Sequence, residues 1–326
     1  MASETPSGES KPRLLMRPLN RLEMLSEQAY AYVLLIPAAI LLGIIAFYPL
    51  VRTFTFSLRA DGVFTADPFG PFIGIENYVR LVSGQALIPN QFLDPTMSEP
   101  LLQQALIVTV LFAVLSVLFE TLIGFGQALI LNQDFRGRRW VRVAIIIPWA
   151  VPVVIQAMIF WLMFNPTIGW GTELMQWLGV FGDNPLANTS DSFIIVLVAD
   201  IWKTAAFMAL LILAGLQSVD RSLYEVARVS GASPWQRFKF ITMPIVMPAL
   251  LVAMLFRTMD AMRIYGLIDA SAGCETVPTL TCLVITSFNA RRWASASAVA
   301  FLTAIVIGIM VLFYLWRFRK TEGGAV

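Results

Sequence analysis

The chain has 326 residues, of which none is histidine and only 13% are charged. Without histidine the chain holds no Ser-His-Asp triad, no histidine-ligated zinc ion and no histidine proton relay. No glycine is followed directly by lysine, which excludes the G-x-x-x-x-G-K-[ST] loop that cradles nucleotide phosphates. The sequence therefore predicts no catalytic residue, no metal site and no nucleotide-binding loop of that type.

Apolar residues dominate instead, at 58% of the chain, and the mean hydropathy is +0.73. Six apolar runs are long enough to cross about 30 Å of hydrocarbon. Each must be helical, because a helix satisfies its own backbone polar groups without water. The sequence thus predicts an all-α, multi-pass membrane protein with no soluble domain. The predicted spans are 30–50, 101–131, 140–164, 193–216, 245–268 and 298–318.

Lysine and arginine are unevenly distributed between the two sides that six spans define. Most of the 23 lie near the N-terminus (1–29), in the loop 132–142, in the loop 217–244 and at the C-terminal end (319–326 and the adjacent Arg317). By the positive-inside rule these segments face the cytoplasm. We therefore expect an inner (plasma) membrane protein with both termini cytoplasmic, and a first span that is retained rather than cleaved as a signal peptide.

The opposite side contains loops at about 57–100 and 165–192. Within the second loop, Gly171–Val180 is predicted to form a short amphipathic helix at the membrane interface. Cys274 and Cys282 both fall between the last two spans. In an oxidising compartment they can form a disulfide, and the alternative is two unpaired cysteines.

The loop 217–244, which we name the elbow segment, contains two helix-start signals on either side of a glycine. Asp220 or Ser222 can cap a first short helix, Gly231 can end it in the left-handed conformation, and Ser233 can cap a second. On these signals alone, the segment either sits in a groove of another protein or rests on the membrane surface.

Polar and ionisable side chains inside predicted spans are expensive and usually face a protein interior or a water-filled cavity. Asp200 and Lys203 are three residues apart, as are Arg257 and Asp260, and Asp260 and Arg263, so each set shares a helix face. Such residues either pair and fix helix packing or line a polar pathway. The candidate pathway residues are Glu120, Gln156, Asp200, Lys203, Arg257, Asp260 and Arg263.

The elbow segment resembles a known motif. E-V-A-R-V-S-G, nine residues and then I-T-M-P are similar to the E-A-A-x-x-x-G-x9-I-x-L-P motif in permease subunits of binding-protein-dependent ABC importers. Val226 and Met243 replace an alanine and a leucine of that motif. The matching residues are Glu225, Ala227, Gly231, Ile241 and Pro244.

Three further stretches, 147–166, 200–217 and 255–265, resemble the carbohydrate-uptake branch of these permeases, the maltose and glycerol-phosphate type. One departure is Gly266, where the family often has aspartate. The resemblance implies a type I importer permease fold of six spans. It also implies that the elbow segment contains the coupling helix, which docks in a cleft of an ATPase subunit.

The resemblance also implies the partners. They are a second permease, a dimer of cytoplasmic ATPase subunits that bind ATP and Mg²⁺, an extracytoplasmic solute-binding protein, a carbohydrate substrate and membrane lipid, with no nucleic acid and no cofactor on this chain. Maltose, trehalose, a longer oligosaccharide and glycerol 3-phosphate all stay open as substrates. The alternatives are a secondary transporter or channel, which would lack a coupling motif, and a membrane-embedded enzyme.

Overall fold

A computed structural model describes residues 26–63, 67–96 and 100–322. The predicted cytoplasmic tails, 1–29 and 319–326, fall partly outside these residues. Contacts divide the chain into two units, Met1–Thr55 and Phe56–Val326. Most of the described residues are helical.

The first unit contains most of helix α1 (Glu27–Ser57), which includes a π-helical turn at Gly43–Phe47. The predicted span ended at residue 50, but the helix continues for two more turns. Polar residues fit this extension because the hydroxyls of Thr53 and Thr55 donate to backbone carbonyls three or four residues earlier.

The second unit begins with an antiparallel pair of short strands, β1 (Arg59–Asp61) and β2 (Phe69–Phe72). In this pair Arg59 lies opposite Phe72 and Asp61 lies opposite Phe69. The remaining helices are α2 (Glu76–Val82), α3 (Ala105–Leu131), α4 (Arg138–Ala150), α5 (Val153–Met163), α6 (Trp170–Trp177), α7 (Thr189–Gln217), α8 (Arg221–Val229), α9 (Pro234–Ala261), α10 (Gly266–Ser271), α11 (Leu280–Asn289) and α12 (Trp293–Glu322).

Five helices in the described part of the chain, α1, α3, α7, α9 and α12, are long and apolar enough to cross a membrane. The helices α4 and α5 make a sixth span only if they are counted together, because they are bent by 91°. Val151 is extended between them, with φ −70° and ψ 128°. The following Pro152 disfavours a helical conformation there, so the predicted span 140–164 consists of two helices rather than one.

The fifth predicted span, 245–268, differs from the structure at both ends. The helix α9 already begins at Pro234, since Ser233 caps it and a π-helical turn at Phe238–Thr242 continues it. It ends at Ala261, and Tyr265, with φ −147° and ψ −65°, separates it from α10. The second short helix predicted in the elbow segment is therefore the first turn of a membrane-capable helix.

The other predictions differ mainly in their ends. A 3-10 turn at residues 101–103 precedes α3, and both α7 and α12 begin several residues before the predicted spans. The amphipathic helix predicted at Gly171–Val180 is confirmed as α6. The side chains of Trp170 and Trp177 on α6 are 64% and 82% exposed.

The helices α3 and α7 pack closely together at Gly124. A Cβ atom on this glycine would lie 2.7 Å from Met208 Cβ and 3.0 Å from the Ala205 carbonyl oxygen. Small residues allow the backbones of neighbouring helices to approach in this way. The contact holds α3 against α7 close to the positions where both helices carry buried polar side chains.

Candidate functional site

An arginine is buried between helices α3, α7 and α9. The Arg257 side chain on α9 is 2% exposed, and the Glu120 side chain on α3 is fully buried. Arg257 Nε donates to Glu120 Oε2 at 2.5 Å, and Nη2 donates to Glu120 Oε1 at 2.9 Å. Two parallel hydrogen bonds of this kind hold a guanidinium in one orientation.

Two aspartates complete this group, which we name the Arg257 cluster (Glu120, Asp200, Arg257 and Asp260). Arg257 Nη2 also donates to Asp200 Oδ2 of α7, and Nη1 donates to Asp260 Oδ2 at 2.9 Å. The side chain of Asp200 is 10% exposed, whereas that of Asp260 is 71% exposed. Asp260 is therefore the member of the cluster that opens to the surroundings.

Neutral polar groups support the cluster. Thr204 Oγ1 lies 2.5 Å from Glu120 Oε1 and 2.6 Å from the Asp200 carbonyl oxygen, so its single proton can be donated to either. Gln156 of α5 donates from Nε2 to the Ala199 carbonyl oxygen at 2.5 Å. These contacts connect α5 to α7, and α7 to the helix α3 that holds Glu120.

A cavity of about 180 Å³ borders the cluster. Its lining includes six of the seven candidate pathway residues, Gln156, Asp200, Lys203, Arg257, Asp260 and Arg263. The seventh, Glu120, is not among the lining residues and contacts Arg257 from within the helix packing. Residues from three different predicted spans therefore meet at one cavity.

The predicted pairing of these charges was only partly right. The ion pair between Arg257 and Asp260 forms, but Asp200 pairs with Arg257 rather than with Lys203. Arg263 donates from Nε to the Met259 carbonyl oxygen at 3.1 Å. The partner of Glu120 was missed, although a carboxylate deep in an apolar span requires a cation nearby.

The elbow segment has the predicted helix caps and the predicted left-handed glycine. Asp220, rather than Ser222, caps α8, because its Oδ1 accepts from the Ser222 N–H at 2.9 Å. This backbone hydrogen bond lowers the pKa of Asp220. Gly231 has φ +80°, and Ser233 forms a capping box with Gln236.

One face of α8 is exposed and apolar. Val226 is 66% exposed and Val229 is 91% exposed. A cavity of about 570 Å³ lies beside the helix, and Glu225, Arg228 and Arg237 are among its lining residues. An apolar surface next to a charged recess favours contact with another protein rather than with water alone.

Cys274 and Cys282 form a disulfide in the structure. The second cysteine lies in α11, and its N–H donates to the capping Thr279 hydroxyl at 3.4 Å. The carbonyl of Cys274 accepts from Asn90 Nδ2 at 3.3 Å. The bridge joins the turn after α10 to the start of α11.

Membrane-capable helices around a buried ionic cluster and a small polar cavity are typical of membrane transport proteins. Residues 120–319 match the family model described as binding-protein-dependent transport system inner membrane component. The chain belongs to that family, and the resemblance to permease subunits of binding-protein-dependent ABC importers is thereby confirmed.

Curated relatives and a solved structure extend the likeness to nearly the whole chain. The chain is 34% identical over 299 residues to the trehalose/maltose transport system permease protein MalF of Thermococcus litoralis, which covers 90% of this chain and 96% of that protein. It is 36% identical over 246 residues to the sulfoquinovosyl glycerol transport system permease protein SmoG of Agrobacterium fabrum, covering 74% of each. A bacterial ABC transporter involved in the import of the acidic polysaccharide alginate has a chain of the same fold, with a TM-score of 0.71, 23% identity and coverage of 94% of this chain and 98% of that one.

Proposed function

We propose that this chain is one permease subunit of an ATP-driven importer that carries a carbohydrate into the cytoplasm. The observation that carries the proposal is the elbow segment, where the motif residues Glu225 and Gly231 lie on or next to a short, capped helix with an exposed apolar face. The relative named for trehalose and maltose transport, which matches over nearly its full length, supports a carbohydrate as the substrate.

In this proposal, α8 is the coupling helix and faces the cytoplasm together with both termini. It docks in a cleft of an ATPase subunit, and a dimer of such subunits binds ATP and Mg²⁺. The chain itself has no phosphate-cradling G-x-x-x-x-G-K-[ST] loop. In this proposal the conformational change driven by ATP in the partner subunits is transmitted to the chain through α8. Glu225, Ala227, Gly231, Ile241 and Pro244 are the residues proposed for coupling.

The cavity beside the Arg257 cluster is the proposed polar part of the translocation pathway. A second permease supplies the other half, and an extracytoplasmic solute-binding protein delivers the sugar. The six candidate pathway residues in its lining offer amide, carboxylate, ammonium and guanidinium groups, which suit the hydroxyls of a sugar. A type I permease switches access to such a site by rigid-body movement of its helices.

The test is reconstitution of the complete importer in proteoliposomes. We expect uptake of trehalose, maltose or glycerol 3-phosphate that requires both the solute-binding protein and Mg-ATP on the ATPase side. Purification of this chain should also recover a nucleotide-binding subunit. Recovery of no such subunit, together with uptake driven by an ion gradient alone, would instead identify a secondary transporter.

A further inference from the structure

The coupling helix α8 makes little contact with the membrane-capable helices. Of its nine residues only Tyr224 and Ala227 are not exposed, and Tyr224 is the only large side chain of these two. Its ring packs against the apolar core cluster that α3, α7 and α9 form around Met208, Ile212 and Val246. Arg221 of α8 also pairs with Asp134 at 3.4 Å, but both of these side chains are exposed. Tyr224 is therefore the residue through which α8 contacts the buried core.

The hydroxyl of Tyr224 adds a hydrogen bond to this apolar contact. Tyr224 Oη lies 2.8 Å from Thr242 Oγ1, and Thr242 is 5% exposed. Thr242 is the first buried residue of α9 and the last residue of the π-helical turn Phe238–Thr242. A partly buried hydrogen bond thus joins the coupling helix to the helix that follows it, across the left-handed turn at Gly231.

The same helix carries the charged cluster further along. Arg257 lies 15 residues after Thr242 on α9, which corresponds to about 22 Å along the helix axis at 1.5 Å per residue. A displacement of the start of α9 therefore reaches the residue that holds three carboxylates together. Without the hydrogen bond, α8 and α9 remain joined by the apolar packing of the Tyr224 ring and by the turn around Gly231, whose glycine permits backbone rotation.

We infer that the hydrogen bond between Tyr224 and Thr242 is a latch that makes α8 and α9 move as one body during ATP-driven switching. The inference rests on the proposed function of α8 as the coupling helix. It makes Tyr224 and Thr242 positioning residues, which act on the cavity through α9 and contact neither substrate nor nucleotide.

The chain offers matched variants for testing the latch. Tyr224→Phe and Thr242→Val each remove one hydroxyl with little change of shape, whereas Thr242→Ser keeps the hydroxyl. Tyr314→Phe is the control, because Tyr314 Oη lies 3.0 Å from Thr258 Oγ1. That second bond joins the same helix α9 to α12, and neither of its residues belongs to the elbow segment.

The first readout needs no sugar. Hydrogen exchange of α8 and of residues 238–244 is measured in the complete importer, with and without Mg-ATP plus vanadate. In the wild type and in Tyr314→Phe, both segments should change their exchange when the nucleotide is trapped. In Tyr224→Phe and Thr242→Val, α8 should still respond, but the response of residues 238–244 should fall about two- to tenfold, the range expected when one partly buried hydrogen bond is lost.

The second readout is the number of trehalose molecules imported per ATP hydrolysed. It should fall by a similar factor in Tyr224→Phe and Thr242→Val, and Thr242→Ser should restore it. An unchanged nucleotide response at residues 238–244 in both latch variants would overturn the inference. Failure of the wild-type importer to take up any of the named sugars would count against the proposed function, while the exchange measurement would still decide whether the latch exists.

Discussion

Arg257 and Glu120 are 137 residues apart in the sequence, yet they share two hydrogen bonds in the buried space between α9 and α3. Asp200 of α7 adds a third helix to the same guanidinium. An ion pair in such a place stabilises little compared with apolar packing, but the loss of one partner leaves a buried charge without compensation. The cluster therefore fixes how three helices are arranged, and its variants should reveal this.

Removal of the buried arginine should be strongly destabilising. Arg257→Met leaves three carboxylates without their shared cation, and we expect a loss of about 3–5 kcal/mol in the free energy of unfolding. Thermal unfolding of the assembled complex in detergent, followed by size-exclusion chromatography, measures the effect. The control is Arg80→Met, since Arg80 pairs with Glu76 at 3.1 Å but both side chains are about half exposed, and exposed pairs contribute at most about 1 kcal/mol. Equal stability of the two variants would refute a structural role for Arg257.

Gly124 should not tolerate a methyl group. The added Cβ in Gly124→Ala would lie 2.7 Å from Met208 Cβ, so α3 and α7 would have to separate, at a cost of about 1–3 kcal/mol. Gly126→Ala on the same helix is the matched control, because no atom lies within 4 Å of its Cβ position. We expect a lower unfolding temperature for Gly124→Ala alone. An unfolding temperature as high as that of Gly126→Ala would mean that the close approach at Gly124 is not required.

Gly231→Ala should impair coupling beyond its effect on stability. The backbone has φ +80° at this position, and an alanine there is strained by about 1–2 kcal/mol. Gly137→Ala carries the same kind of strain, because Gly137 has φ +94° at the start of α4, outside the elbow segment. The measurement is ATP hydrolysis and sugar uptake by the reconstituted importer. Uptake per ATP should fall in Gly231→Ala only, and an equal effect of both variants would argue against a specific role for the elbow.

The proposed orientation can be tested by labelling single cysteines with a membrane-impermeant maleimide. In a background with Cys274→Ser and Cys282→Ser, Val229→Cys places a thiol on the 91% exposed tip of α8, and Trp177→Cys places one at an 82% exposed position on α6. Intact cells should label Trp177→Cys, whereas only inverted vesicles should label Val229→Cys. The opposite pattern would place the elbow segment outside the cell and exclude its contact with a cytoplasmic ATPase.

The sequence predicts most of what depends on neighbouring residues. Caps at Asp220 and Ser233, the left-handed Gly231 and the amphipathic α6 all follow from signals within a few positions of one another. The partner of Glu120 does not, because no local pattern specifies a contact across 137 residues. The break between α4 and α5 is intermediate. Pro152 signals a bend, but whether the bend is slight or 91° depends on the packing around it.

Substitutions of Glu120 and of Asp260, two of the acidic residues that contact Arg257, should have different effects. Glu120 is fully buried and Asp260 is 71% exposed. Asp260→Asn should therefore keep the fold, since Glu120 and Asp200 still neutralise the arginine, but it should lower sugar uptake because it changes the wall of the cavity. Glu120→Gln should lower the unfolding temperature, since it removes the charge that pairs with Arg257 where water cannot replace it. Parallel measurements of unfolding temperature and of ATP-dependent trehalose uptake distinguish the two. If Asp260→Asn destabilises the complex as much as Glu120→Gln does, the exposed carboxylate belongs to the helix packing and not to the pathway.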